Sequence, residues 1–386
     1  MSELTNKKNI KVLSLNHYIL GHATYQNILE RTFREHIPEV EFNSLHLTDY
    51  FKEDFLGRLV YWLLSKRLPG LGKKDYDFSR WRTELADSFF GRRCLEKALK
   101  NYQPDVIHIH TQSIAYLVGS IFKNYPTVIS IDYTSALLAK ERGFPANITY
   151  KPIINMEKKC FQKASHIIAC SERSLSSVIN DYRISPNKVT NIHYGVPLNL
   201  FNEDNKKKDF NPKKIKLLFV GNDFQRKGGE DLIAVFQKYF THVCELDIVS
   251  NASLNLPSMS NLRIHKGVFP LSLEMLQLYK AADIFIMPTH EDVYGMVFIE
   301  AMAAGLPCIG TKVMAVPELV KDGLNGFAIE PGDREALKKA IFNLINDPNL
   351  RLSMGMKGKE LAKERFDAIF NCRKITQIFS EVSNNK

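Results

Sequence analysis

Two stretches of the chain combine residue types and spacings suited to an anion joined to a hydroxyl-rich group. In DIFIMPTHEDVYGMVFIEAMAAG (283–305) an apolar run ends at Pro288 and a loop carries Glu291 and Asp292. Gly295 then precedes a helical pattern that holds Glu300. A helix that starts just after a strand offers N–H groups and a partial positive charge, which suits a diphosphate. Carboxylates beside it accept strong hydrogen bonds from sugar hydroxyls. Taken alone, Asp292 and Glu300 read more readily as a capping carboxylate and an ordinary helix glutamate. In KLLFVGNDFQRKGG (216–229) a strand ends at Gly221, and Arg226 and Lys227 precede a glycine pair and another helix. Arginine meets phosphate as a fork and lysine as a point charge. A solvated basic turn is the alternative.

The elements that must position these residues form a repeating pattern. IKVLSLN (10–16), DVIHIH (105–110), TVISID (127–132) and HIIAC (166–170) read as strands in the first half. KLLFVG (216–221), ELDIVS (245–250), LRIHKG (262–267), DIFIMP (283–288), PCIG (307–310) and GFAI (326–329) do so in the second. Amphipathic segments such as SLSSVINDY (174–182) and EDLIAVFQKYF (230–240) lie between them. Apolar strands alternating with helices predict parallel α/β sheets. The pattern occurs twice, separated by the polar, Pro-punctuated linker FNEDNKKKDFNPKK (201–214). Ligands of such sheets bind beyond the carboxyl ends of the strands, where both stretches fall.

Together the two stretches, a strand–G-x5-K-G–helix and a later acid-x7-E helix, resemble the nucleotide-sugar domain of family 4 glycosyltransferases of the GT-B fold. AAGLPCIGTKVMAVPELVKDGLNGFAIEPGD (303–333) is similar to the same family's P-E-L-V and D-G-x-N-G segment. PDVIHIH, EKKCFQKASHIIACSE (157–172) and KVTNIHYGVPLNLF extend the resemblance over nearly the whole chain. It implies an α/β GT-B protein with two Rossmann-like, doubly wound domains facing a central cleft. The acceptor-side domain would span 1–200 with a returning C-terminal helix at about 366–386, and the nucleotide-sugar domain 201–365.

The resemblance implies transfer of a sugar from a nucleoside-diphosphate donor to an acceptor hydroxyl, with retention and without a metal. Lys227, with Arg226, would neutralise the departing diphosphate. Glu300 would bind the ribose. Asp292 and Glu291, with backbone N–H groups around Tyr294, Gly295, Met296 and Val297, would hold the sugar and phosphates. Val268 would edge the base, and Gly21 would belong to the N-terminal loop. No cofactor is implied, since the nucleotide sugar is a substrate.

Departures from the family pattern are informative. Its usual Glu is Asp292, the Arg expected after Gly221 is Asn222, and its N-terminal glycine pair is reduced to Gly21 followed by His22. Its T-x-H appears as Ser130-Ile131-Asp132. A carboxylate at 132 is either catalytic, stabilising an oxocarbenium-like transition state, or a structural cap. A non-catalytic nucleotide-sugar-binding homologue and a GT-B epimerase remain alternatives.

Composition sets the outer bounds. The 386 residues, 45% hydrophobic and 24% charged, suit two ordinary domains and exclude disordered and disulfide-scaffold classes. Six scattered cysteines without C-x-x-C argue for buried thiols in a cytoplasmic setting. His108 and His110 share a strand face without a third ligand, and Asp75-Tyr76-Asp77 reads as a solvated loop, so no metal site is expected. The net charge of +10 calls for an anionic partner, and residues 51–100 alone carry 12 basic against 7 acidic groups. FKEDFLGRLVYWLLSKRLPGLGKK (51–74) reads either as a basic amphipathic helix on an anionic membrane or as a packed helix with a charged outer face. The first reading expects a peripheral contact at the inner face of a membrane and a lipid-linked or polysaccharide acceptor. Nucleic acid is not expected as a partner.

Overall fold

The computed structural model describes residues 9–17, 20–68, 70, 76–201, 214–256 and 259–384. Most of the expected linker, 202–213, lies outside the described residues. The chain divides into two compact units, Met1–Tyr194 with Ala368–Lys386, and Gly195–Asp367. Each is built on one six-stranded parallel sheet.

In the first unit the strands are β1 (Ile10–Asn16), β2 (Val40–His46), β3 (Val106–His110), β4 (Thr127–Ile131), β5 (His166–Ala169) and β6 (Val189–Asn191), in the order β2-β1-β3-β4-β5-β6. Every residue of β3 and β4 is buried, as helices on both faces require. His108 and His110 follow this rule. His108 lies between the hydroxyls of Ser14 and Ser130, at 2.9 and 2.8 Å, and His110 Nε2 is 3.1 Å from the Tyr194 hydroxyl. The last helix, Ala368–Asn384, packs in this unit, where Phe379 meets Phe33 and His108.

The second unit contains β7 (Ile215–Val220), β8 (Cys244–Val249), β9 (Leu262–His265), β10 (Ile284–Ile286), β11 (Cys308–Thr311) and β12 (Gly326–Ile329), in the order β12-β11-β10-β7-β8-β9. Short polar side chains start its helices. Ser272, Asp333 and Asp347 accept from the N–H three residues on, and Pro348 follows the last of them.

Both sheets reverse their winding direction once. In the first unit β2 and β3 flank β1, and in the second β8 and β10 flank β7. Such a reversal opens a crevice at the carboxyl edge, because the helices after the two central strands go to opposite faces. In the first unit the crevice is bounded by the residues after β1 and β3. In the second it is bounded by those after β7 and β10.

Three expectations are corrected. β2 and β6 are strands that the apolar pattern did not reveal. Both are edge strands, where one-sided exposure lets polar residues in. Asp77 is not solvated: its carboxylate is buried, accepts the N–H groups of Leu68 and Ser79, and pairs with Arg82 at 3.1 Å. Burial alone would raise its pKa, but these contacts hold it below the ordinary carboxylate range. Asp75 lies outside the described residues. Finally, the helix Phe55–Ser65 does not have a charged outer face. Gly57 packs where a side chain would strike the Phe90 ring, and Phe55, Leu56, Leu59, Trp62 and Leu63 point outward, Trp62 with 55% of its surface exposed. All six cysteines are buried thiols. No helix among the described residues is long and apolar enough to cross a membrane.

Candidate functional site

The second unit brings its two chemistry-bearing loops together at the winding reversal. After β7 the chain turns through Gly221–Gly228 into the helix Gly229–Tyr239, and after β10 through Met287–Gly295 into the helix Met296–Ala303. Gly228 makes this approach feasible. Its φ is +75°, and a Cβ there would lie 1.9 Å from the Pro288 carbonyl oxygen. The His290 N–H donates to Arg226 O at 2.8 Å, and Thr311 Oγ1 donates to Thr289 O at 2.6 Å, pinning the second loop from both sides.

Lys227 Nζ then reaches Asp292 Oδ2 at 2.5 Å, with both side chains largely buried. Arg226 braces the loop instead of entering the pair: Nη1 donates to Glu291 O at 2.6 Å and Nε to Asp223 Oδ2 at 2.8 Å. Glu291 is therefore joined to Arg226 through its backbone. Gly295 caps the second helix at φ +89° with no side-chain hydrogen bond to the helix start. Tyr294 is buried beside it, and the first helical residues, Met296 and Val297, carry no acid that would occupy the positive end.

Glu300 sits one turn further in and is only 3% exposed. The Tyr279 hydroxyl donates to Oε2 at 2.8 Å. Burial pushes the Glu300 carboxyl up to about 7, and the tyrosine bond counters part of that. Tyr279 is a site residue that sequence reasoning missed, because a tyrosine in an amphipathic helix is ordinary core. Val268 is buried after β9. The Asn251 N–H donates to Asn222 Oδ1 at 2.9 Å and the Gly267 N–H to Asn251 Oδ1 at 2.7 Å, lacing the ends of β7, β8 and β9.

Asp132 and Gly21 belong to the first unit. Gly21 is exposed in the first turn of the helix Leu20–His36, where a Cβ would meet nothing within 4 Å, so no steric demand explains it. Asp132 follows β4, with Oδ1 accepting the Tyr133 N–H at 3.0 Å, while Oδ2 lies 3.4 Å from His22 Nε2. The carboxylate is thus both a local backbone acceptor and the neighbour of a histidine, while Thr134 caps the helix that follows. His22 Nδ1 is buried without a hydrogen-bond partner among the described residues.

A cavity of about 430 Å³ opens at the reversal of this first sheet. His17 borders it after β1, Thr111 and Ser113 after β3, and Tyr133 after β4, with His22, Arg67, Arg80, Glu84, Asp87, Arg142 and Tyr150 completing much of the wall. Thr111 holds φ at +95°, a conformation a β-branched residue rarely adopts. Gln112 Nε2 donates to Tyr133 O at 2.8 Å and to Glu157 Oε1 at 2.7 Å, tying two lining loops to a buried carboxylate. Burial, reinforced by Glu84, raises the Asp87 carboxyl to about 7, and burial with His22 nearby lowers His17 to about 4. The 3.7 Å contact between His17 and Asp87 is therefore not an ion pair at neutral pH, because desolvation outweighs their attraction. Among the described residues no group of three or more His, Cys, Asp or Glu is arranged to hold a metal ion.

Comparison with known proteins agrees with the fold. The profile of glycosyl transferases group 1 matches residues 201–361, and that of glycosyltransferase family 4 matches residues 66–200. A capsular polysaccharide biosynthesis glycosyltransferase, CapM of Staphylococcus aureus, is 29% identical over 59% of this chain and 63% of its own length. An uncharacterized glycosyltransferase of Methanocaldococcus jannaschii is 25% identical over 88% of each chain. Among solved structures, sucrose-phosphate synthase from Thermosynechococcus elongatus aligns with a TM-score of 0.72 at 16% identity, covering 98% of this chain and 100% of its own. HepE of Anabaena, solved in complex with UDP-glucose, aligns at 0.67 and 18% identity, covering 96% and 100%. The matched region spans less than two thirds of CapM. With both units carrying the family's profiles and two parallel sheets of GT-B type, the chain belongs to the group 1, family 4 glycosyltransferases.

Proposed function

We propose that the protein transfers a sugar from a nucleoside-diphosphate donor, held by the second unit, to a hydroxyl of an acceptor held by the first. The observation that carries this is the convergence of Lys227, Asp292 and the start of the helix Met296–Ala303, which no side chain caps, at one sheet reversal. As the bond from the sugar's anomeric carbon to the diphosphate breaks, negative charge collects on the leaving oxygen. A fixed ammonium and a helix N-terminus aimed there stabilise that charge more than the ground state. Lys227 and Arg226 supply the cations a metal would otherwise provide, so the reaction is proposed to be metal-independent. Glu300 accepts from a ribose hydroxyl, Asp292 and Glu291 from the sugar, and Val268 edges the base. Asp132, steadied by His22, places a carboxylate in the acceptor-side unit. Retention of configuration is proposed from the family.

HepE binding UDP-glucose supports a nucleotide-sugar donor, and CapM's role supports synthesis of a cell-surface polysaccharide or glycolipid. The outward apolar face of Phe55–Ser65, with Arg58 and Lys66 standing over Phe55 and Trp62, supports peripheral contact with an anionic membrane. A cytoplasmic site at the inner face of that membrane completes the proposal. A thermal-shift screen against nucleoside diphosphates and nucleotide sugars tests the donor half. One or more nucleotides should stabilise the wild type and not Lys227→Ala. Equal shifts in both proteins, or none with any nucleotide, would count against it.

A further inference from the structure

We propose that the cavity in the first unit binds a phosphate-bearing acceptor, its phosphate on Arg67, Arg80 and Arg142 and its sugar ring against Tyr133. This rests on the transfer reading above and adds the chemical class of the acceptor.

The wall composition carries the argument. Three guanidinium groups line the cavity against two carboxyls, Glu84 and Asp87. Glu84 is spent on Arg80, at 2.7 Å. Arg80 also donates to the Tyr133 hydroxyl, and its guanidinium stands 5.4 and 5.3 Å from the Tyr133 and Tyr150 ring centres. Arg142 donates to the Tyr150 hydroxyl at 2.7 Å. Cations and aromatic rings are thus set by one another, a preorganised wall that fits a flat sugar face and an adjoining anion. The hydroxyls of Ser65, Ser79, Thr83, Thr111 and Ser113 add groups that both donate and accept.

The surrounding charge makes this wall distinctive. Four of the basic residues of 51–100 are paired with acids of the same stretch: Arg82 with Asp77, Arg93 with Asp54, Arg92 with Glu96 and Lys97 with Glu53. Of the others, Arg67 and Arg80 line the cavity, and Arg58 and Lys66 stand over rings of the apolar helix beside it. Ser65 and Arg67 line the cavity directly at the end of Phe55–Ser65, so an acceptor arriving on a lipid would meet Arg67 first.

Phosphate esters reach such a site from solution or from a lipid-linked sugar, and calorimetric titration distinguishes the sources. The Lys227→Ala protein is used so that phosphate affinity of the second unit does not contribute. The probes are glucose 1-phosphate, N-acetylglucosamine linked to farnesyl diphosphate in detergent micelles, and glucose as the control. At least one phosphorylated probe should bind and glucose should not. The exposed pair Arg67→Gln/Arg142→Gln should weaken that binding roughly tenfold or more, and Arg80→Lys, which keeps the charge but loses the fork, several-fold. The stronger probe identifies the source. Binding by neither probe, or equal binding to the Arg67/Arg142 variant and its parent, would overturn the proposal. Nucleotide binding by the wild type is a separate readout, so a failed donor site and a failed acceptor site give different results.

Discussion

Lys227 and Asp292 lie 65 positions apart in sequence and 2.5 Å apart in the structure, joined across the reversal between β7 and β10. A side chain at position 228 would block the backbone approach that the contact needs, and on the proposed function the ammonium stands where a diphosphate at the helix Met296–Ala303 would need it. On the proposed function, a bound diphosphate would compete with Asp292 for Lys227.

Replacing Asp292 with Asn tests that competition. The variant should bind a bare nucleoside diphosphate as tightly as the wild type or a few-fold more tightly, because Lys227 is released to the phosphates. Sugar transfer should fall about 100-fold, since the carboxylate that orients the sugar is gone. Equilibrium titration with the diphosphate and steady-state kinetics separate the two effects.

Glu300 gives a pH prediction with a defined sign. Its carboxyl is raised by burial from the ordinary 4.5 to about 7, so the folded protein favours the protonated form. Its contribution to stability is complete below about 4.5 and is lost as pH rises through about 7. The stability difference between wild type and Glu300→Gln should therefore move against the wild type over that range in denaturant titrations. Nucleotide binding should run the other way, strengthening as Glu300 ionises to accept the ribose hydroxyl. Tyr279→Phe should shift the binding profile to higher pH, because it removes the hydrogen bond that favours the ionised carboxyl.

Gly228→Ala should be among the most damaging small substitutions. A methyl group there lies within 2 Å of the Pro288 carbonyl oxygen on a residue with φ of +75°, so backbone must move. A loss of about 2 kcal/mol or more in unfolding free energy is expected, with transfer lost as the two loops separate. Gly305→Ala also sits at positive φ, at +76°, but meets nothing within 4 Å, and should cost less in the same denaturation experiment.

The outward face of Phe55–Ser65 predicts a surface phenotype without a stability phenotype. Trp62→Ser with Leu63→Ser should reduce sedimentation with anionic vesicles by roughly tenfold, since about 25 cal/mol per Å² of buried apolar surface is forfeited. The melting temperature should stay near that of the parent, because both side chains point away from Phe90 and the core. Equal binding to neutral and anionic vesicles would remove the electrostatic part of the membrane proposal.

How far the sequence discloses this structure depends on burial. Strands such as β3, β4 and β10 are covered on both faces, and continuous apolar runs made them legible. β2, reading VEFNSLH, has one exposed edge and no such run, so its register depends on β1 and not on its own pattern. The Lys227 and Asp292 loops were legible because glycines and charges at strand ends are local signals. The partnership of Glu300 with Tyr279, and the gathering of Arg67, Arg80 and Arg142 around two tyrosines, depend on tertiary packing between residues far apart in sequence. The solvated reading of Asp77 failed for the same reason: an acid in a loop pattern gives no sign that two N–H groups and an arginine converge on it.

The central claim is that the Lys227–Asp292 crossing stabilises a departing nucleoside diphosphate. The most direct test is release of nucleoside diphosphate from the donor that binds, in the presence of an acceptor pool, by wild type and by Lys227→Met. The account predicts acceptor-dependent release by the wild type and a rate lower by about 100-fold in the variant. A wild type that binds the donor yet releases none with any acceptor pool, or a variant that turns over at the parent's rate, would contradict it.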